Sequence, residues 1–148
     1  TLERRLMAEL PFALSERQSG IFGLLYALES MAALLLMCDR RDLGTAIGER
    51  PGSPGADAGW QEFAGKMSDR GEEKEFFEPS LYLYDAYPGG IGFSEPLYRV
   101  HDLLLRQTRE LIAACPCEKG CPSCTGPAGE KSERAKEAAL AILDRLCA

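Results

Sequence analysis

Leu2, Leu6, Ala8 and Leu10 fall on even positions, with Glu3, Arg5 and Glu9 between them. That alternation suits a half-buried strand ended by Pro11. The spacing of the three leucines, four residues apart, suits a helix equally well. We take residues 3–10 as a strand. Residues 20–38 form the most apolar run of the chain, and its length approaches that of a membrane span. Glu29 and Ser30 sit in its middle, and Gly23 interrupts it. A carboxylate at the centre of a bilayer is costly, so the run predicts a buried core helix and no membrane. Cys38 then reads as a small core hydrophobe. Asp39-Arg40-Arg41-Asp42 stops the helix, and a second strand is expected over about 38–46.

Ser80 to Asp85 alternates leucine and tyrosine, which predicts a third strand over 80–86. A glycine-rich turn follows, Tyr87-Pro-Gly-Gly-Ile-Gly-Phe93. Ser94 is expected to cap the next helix, with Glu95 and Pro96 in its first turn. Leu97, Val100, Leu104 and Leu111 share one face of that helix, which runs to Cys115. A last helix is expected over 130–146. Ala135, Ala139, Ile142 and Leu146 would face the core, and Lys131, Arg134, Lys136 and Glu137 would lie outside. The pattern predicts an α+β domain: a small antiparallel sheet packed on the long helix and two C-terminal helices.

The chain has 148 residues, enough for a single domain with a sizeable core. Its net charge is −6, which excludes a small domain that binds nucleic acid by bulk charge alone. The acidity is uneven. Residues 44–79 hold eight acidic and four basic residues, leaving −4 there and −2 elsewhere. Seven glycines and three prolines share that segment. It reads as a long surface loop inserted between two strands, pinned by Trp60, Phe63 and Met67. An acidic flap over a nucleic-acid strand is the sharper reading of it, and a solvated loop is the simpler one we prefer. Thr1 opens the chain without the pattern of a secretory signal, so a cytoplasmic location is expected.

The strongest chemical signal is Cys115-Pro-Cys117-Glu-Lys-Gly-Cys121-Pro-Ser-Cys124. Four thiolates on two short knuckles can close a tetrahedron about zinc. Pro116 and Pro122 stiffen the knuckles, and Gly120 allows a sharp turn between them. A set of four sulfurs leaves no open coordination position, which makes such a site structural. An iron–sulfur cluster, two disulfides, and a redox pair at Cys121 and Cys124 are the alternatives. Cys147 lies near the chain end as a bystander.

Other signals are weaker. His101 is the sole histidine, so no catalytic set built on Ser-His-Asp or Cys-His is expected. Gly89, Gly90 and Gly92 lack both the dinucleotide fingerprint and the phosphate loop with its lysine. Turn geometry explains these glycines without a ligand. Asp39, Asp42 and Asp85 could meet in space, either pairing with Arg40 or Arg41 or holding a divalent ion, and pairing is the simpler expectation. Arg40, Arg41, Arg99, Arg106 and Arg109 are candidates for phosphate contact, or else solvated surface charges.

Three strings in order carry a resemblance: LLLMCDRRDLG (Leu34–Gly44), YDAYPGGIGFSE (Tyr84–Glu95) and the cysteine cluster. Over residues 10–146, apart from the 44–79 insertion, the chain resembles the C-terminal zinc-binding domain of mitomycin-repair-factor-A-like superfamily-two DEAD/DEAH-box DNA helicases. That resemblance implies zinc on Cys115, Cys117, Cys121 and Cys124. It also implies helicase motor domains of the same polypeptide or complex as partners, and a DNA-repair or phage-defence setting. The domain would then brace the motor and help guide single-stranded DNA, and the ATPase would lie elsewhere. Family members carry histidines in the long helix where this chain has Tyr26, Glu29 or Ser30. The alternative function is a zinc-stabilised adaptor that docks a partner subunit. A thiol redox protein is a third.

Overall fold

The computed structural model describes residues 1–49, 78–127 and 133–148. The chain begins with a short helix, α1 (Arg4–Ala8), followed by the long helix α2 (Leu14–Leu36). A single 3₁₀ turn (Arg40–Asp42) leads into strand β1 (Leu43–Glu49). Strand β2 (Pro79–Asp85) returns antiparallel to it, pairing Leu43 with Asp85 and Glu49 with Pro79. Helices α3 (Ser94–Arg99), α4 (His101–Ala114) and α5 (Ala135–Leu146) complete the fold. The α+β class stands, with two strands in the sheet among the described residues.

The strand expected over 3–10 is helix α1. Met7 is 2% exposed, whereas Ala8 lies on the surface. A strand with its even residues inward would have placed them the other way round. Leu2, Met7 and Leu10 are buried instead, and Leu6 packs on the same core. The N-terminal backbone still touches the sheet through Leu2 N–H, which donates to Pro79 O at 2.8 Å.

Helix α2 is the spine. Its 23 residues span roughly 35 Å. By length and apolarity it could cross a membrane, yet 61% of its apolar window is buried inside the fold. Ile21, Leu24, Ala27, Leu28 and Ala32 pack into one core with Ile112 of α4 and Ala138, Ala139, Ile142 and Leu143 of α5. It starts six residues before the apolar run, because the Glu16 carboxylate accepts the Ala13 N–H at 2.8 Å and stabilises a polar first turn. It ends at Met37, where the Cys38 N–H reaches back to Ala33 O at 3.1 Å.

The two faces of the hairpin differ. Leu43, Ile47, Leu81 and Leu83 pack on the helical core. On the other face a Cβ at Gly44 would meet the Tyr84 ring at 2.4 Å, so the missing side chain makes room for the tyrosine. The first residues of the 44–79 insertion are thus strand. Its middle, with Trp60, Phe63 and Met67, lies outside the described residues.

Two helix boundaries differ from expectation. The run from Ser94 to Cys115 is divided at Val100, whose ψ of 19° leaves helical geometry. Ser94 lies inside α3 and forms no cap. The Asp85 carboxylate takes that role, accepting the Phe93 N–H at 3.1 Å. The last helix begins at Ala135, and residues 130–132 lie outside the described residues.

Candidate metal centre

Helix α4 stops at Ala114 because Cys115 precedes a proline. Proline disfavours helical geometry in the residue before it, and Cys115 is extended (φ −65°, ψ 129°). The chain then runs through Cys117 to Gly120, whose φ is +106°. A Cβ there would be strained and would meet Thr125 Oγ1 at 2.5 Å. Cys121 to Thr125 forms a tight turn in which the Cys124 and Thr125 N–H groups donate to Cys121 O at 3.1 and 3.0 Å.

This path gathers the four cysteines. Their sulfurs all lie within 4.8 Å of one another. Cys115 Sγ is 3.5 Å from Cys121 Sγ, and Cys117 Sγ is 3.4 Å from Cys124 Sγ. Cys121 and Cys124 are 3.7 Å apart. A tetrahedron with zinc–sulfur bonds of about 2.3 Å has edges of about 3.8 Å. A disulfide would need about 2.05 Å. The separations therefore fit one tetrahedral ion. A multi-iron cluster, sitting between its thiolates, would hold them further apart. Cys124 is 1% exposed and the other three are half-buried, which shields the centre from water.

The thiols are unequal. Burial pushes Cys117 up to about 12, reinforced by hydrogen bonds to neighbouring sulfurs. The backbone N–H groups of Cys124 and Ser123 hold Cys121 down at about 6. Cys121 is the sulfur readiest to meet a cation, and Cys117 gives up its proton only when a metal replaces it. Cys38 and Cys147 stand apart from the cluster.

Lys136, expected outside, is buried. Its Nζ donates to Cys115 O at 2.7 Å and to Cys117 O at 2.6 Å. A signal for it exists in the sequence: Ala139 and Leu143 follow at three and seven residues, and both are buried.

The other predicted residues disperse. Arg40 pairs with Glu29 and lies 4.4 Å from the Tyr26 ring centre, so it serves α2 rather than the aspartates. Asp39 and Asp42 cap the 3₁₀ turn reciprocally, and Asp42 Oδ1 accepts the Tyr87 hydroxyl at 2.9 Å. The expected pairing of these aspartates with Arg40 or Arg41 does not form, because each carboxylate is occupied by backbone or tyrosine donors. Gly89, Gly90 and Gly92 all have positive φ, and Asp85 closes the turn they make. Arg99 pairs with Glu95, and Arg109 pairs with Asp144 across α4 and α5. Arg41 and Arg106 are exposed and carry no ion pair among the described residues. His101 is exposed and stacks on Tyr98 with ring centres 5.4 Å apart.

Residues 24–125 match the family of the MrfA zinc-binding domain (MZB). An uncharacterized ATP-dependent helicase, YprA of Bacillus subtilis, is 29% identical over 126 residues, covering 85% of this chain and 14% of the helicase. An uncharacterized protein of Methanocaldococcus jannaschii, MJ1572.1, is 39% identical over 44 residues, covering 30% of this chain and 39% of that protein. The fold superposes on a crystal structure of the DUF1998 helicase MrfA bound to DNA, with a TM-score of 0.65 and 25% identity. That match covers 93% of this chain and 15% of the helicase chain, so the chain spans only about a seventh of its helicase relatives. With four thiols gathered at metal-binding distances and the family matched over most of the fold, the chain belongs to the MrfA zinc-binding domain family.

Proposed function

We propose that this chain is the accessory module of an ATP-dependent DNA helicase serving DNA repair or phage defence in the cytoplasm. Zinc on Cys115, Cys117, Cys121 and Cys124 would act as a closed structural clip joining α4 to α5. A coordination shell of four thiolates leaves no position for water, so the ion contributes folding free energy rather than chemistry. The module is a single domain spanning residues 1–148. It braces the motor and contributes to the path of single-stranded DNA, while ATP hydrolysis is carried out elsewhere in the parent protein. One observation supports this above the others: four sulfurs within 4.8 Å of one another, three pairs of them at 3.4 to 3.7 Å, in a chain that superposes on a segment of a DNA-bound helicase.

Of the five arginines named as candidates, Arg41 and Arg106 are the two we assign to phosphate contact, since the other three are held in ion pairs. In the helicase that contains this domain, Arg41→Ala and Arg106→Ala should each flatten the salt dependence of single-strand affinity. The log–log slope should fall by about 0.7 for each phosphate no longer neutralised. Fluorescence anisotropy over a salt series measures it. An unchanged slope in both variants would remove these residues from the DNA path.

The adaptor reading is favoured by exposed Leu34, Met37, Tyr84, Tyr87, Ile91 and Tyr98. Such side chains suit a protein contact. Affinity for a partner protein that ignores salt, with no affinity for single strands, would put that reading first.

A further inference from the structure

Lys136, the second residue of α5, is 9% exposed. Its ammonium donates to the carbonyls of Cys115 and Cys117, and its backbone N–H donates to Lys119 O at 3.4 Å. One residue therefore gathers three carbonyls of the segment that supplies half of the thiolates. Among the described residues, no carboxylate pairs with this ammonium.

A buried ammonium is costly unless an anion accompanies it. Carbonyl oxygens satisfy its hydrogen bonds and leave its charge uncompensated. Four thiolates about a divalent ion carry an excess of negative charge, which is costly to bury for the same reason. The two imbalances are opposite in sign and are joined through the backbone of Cys115 and Cys117. The positive end of α5 lies at the same place and adds in the same sense.

We infer that Lys136 is the counter-cation and positioning residue of the zinc centre. The inference rests on the zinc reading. In this role the ammonium offsets the charge of the tetrathiolate and holds the Cys115–Cys117 knuckle against α5.

The test is zinc release from the full chain to a chromogenic chelator, at a temperature well below unfolding. The variants are Lys136→Met, Lys136→Gln and Lys136→Arg. The comparison variant is Leu143→Ala, a buried change two turns further along the same helix. Lys136→Met keeps the apolar stem and should speed release by about 10- to 100-fold, as removing a hydrogen-bonding partner of metal ligands does elsewhere. Lys136→Gln keeps a hydrogen-bond donor without the charge and should resemble Lys136→Met. Lys136→Arg keeps the charge and should stay within about threefold of wild type. Leu143→Ala should lower thermal stability at least as much while leaving release nearly unchanged.

Release from Lys136→Gln at the wild-type rate would overturn the counter-cation. Equal release from Leu143→Ala and Lys136→Met at matched stability would reduce Lys136 to a structural peg and overturn the proposal as well. If Lys136→Met fails to fold, the Gln and Arg pair decides alone. A wild-type chain that takes up no zinc sinks the zinc reading and this inference together. Wild-type and Lys136→Met chains that hold zinc equally sink this inference only.

Discussion

Met37 ends α2 with φ of +52° and is 89% exposed. The left-handed conformation costs a residue with a Cβ about 1–2 kcal/mol, and glycine escapes it. Met37→Gly should therefore stabilise the chain by up to about 1 kcal/mol, after the larger unfolded-state entropy of glycine is subtracted. Thermal or urea unfolding of the zinc-loaded protein measures the change. A loss of stability would show that the methionine side chain contributes more than its exposure suggests. At this scale the sequence was partly legible. The four cysteines pointed to a metal site by spacing, since each sulfur needs only a short stretch of chain to reach its neighbours, and the family resemblance favoured zinc over the alternatives. For Lys136 the helical spacing to Ala139 and Leu143 was the one signal, and it was outweighed because a lysine at a helix start is ordinarily solvated. Only the path of the 115–119 segment past α5 gives it carbonyl partners.

Helices α2 and α5 come very close at Gly20. A Cβ there would lie 2.6 Å from Ala138 Cβ and 3.0 Å from two backbone atoms of α5. Backbone cannot yield as a flexible side chain does, so Gly20→Ala should separate the helices and cost about 1–3 kcal/mol. Gly20→Ala also gains helix propensity of about 1 kcal/mol, which offsets part of that cost. Net destabilisation in chemical unfolding is the expected result, and net stabilisation would mean that the helices slide apart freely. The elements themselves were unevenly readable. Helix α2 was legible from a single apolar run. Residues 3–10 supported two periodicities, and the choice fell to tertiary packing: Met7, not Ala8, had a core to enter. The division of the next helix at Val100 carried no clear sequence mark. The Asp85 carboxylate that ties the glycine turn reaches Phe93 only because β2 delivers it there.

At the scale of the whole molecule the zinc clip joins α4 to α5, and both helices pack on α2. Removing the metal should loosen this unit. A strong chelator under reducing conditions should cut helical circular dichroism and lower the melting temperature by about 10 °C, given about 2–4 °C per kcal/mol for a domain near 150 residues and several kcal/mol from a structural zinc. A melting curve unmoved by the chelator would show that the hydrophobic core holds the fold alone. Acid should act in the same direction. Zinc binds thiolates, and Cys117 in the metal-free chain holds its proton up to about 12. Binding therefore releases protons, and affinity rises with pH and falls as pH falls. Zinc retained per chain, measured across a pH series by elemental analysis, should decline steadily on acidification. Flat retention would place the metal on ligands other than thiols.

The sequence by itself determined what depends on neighbours along the chain. The buried spine followed from one apolar run, the metal from four closely spaced cysteines, and the end of α4 from the proline after Cys115. The family was legible too, since the strings around Asp39, Gly89 and the cysteines occur in order. The tertiary structure decided what depends on distant partners. Met7 turned the first segment into a helix because a core was there to receive it. Arg40 went to Glu29 and Tyr26, and Arg109 to Asp144, which left Arg41 and Arg106 exposed. Lys136 went inward, where the carbonyls of Cys115 and Cys117 accept hydrogen bonds from an ammonium that would otherwise remain in water.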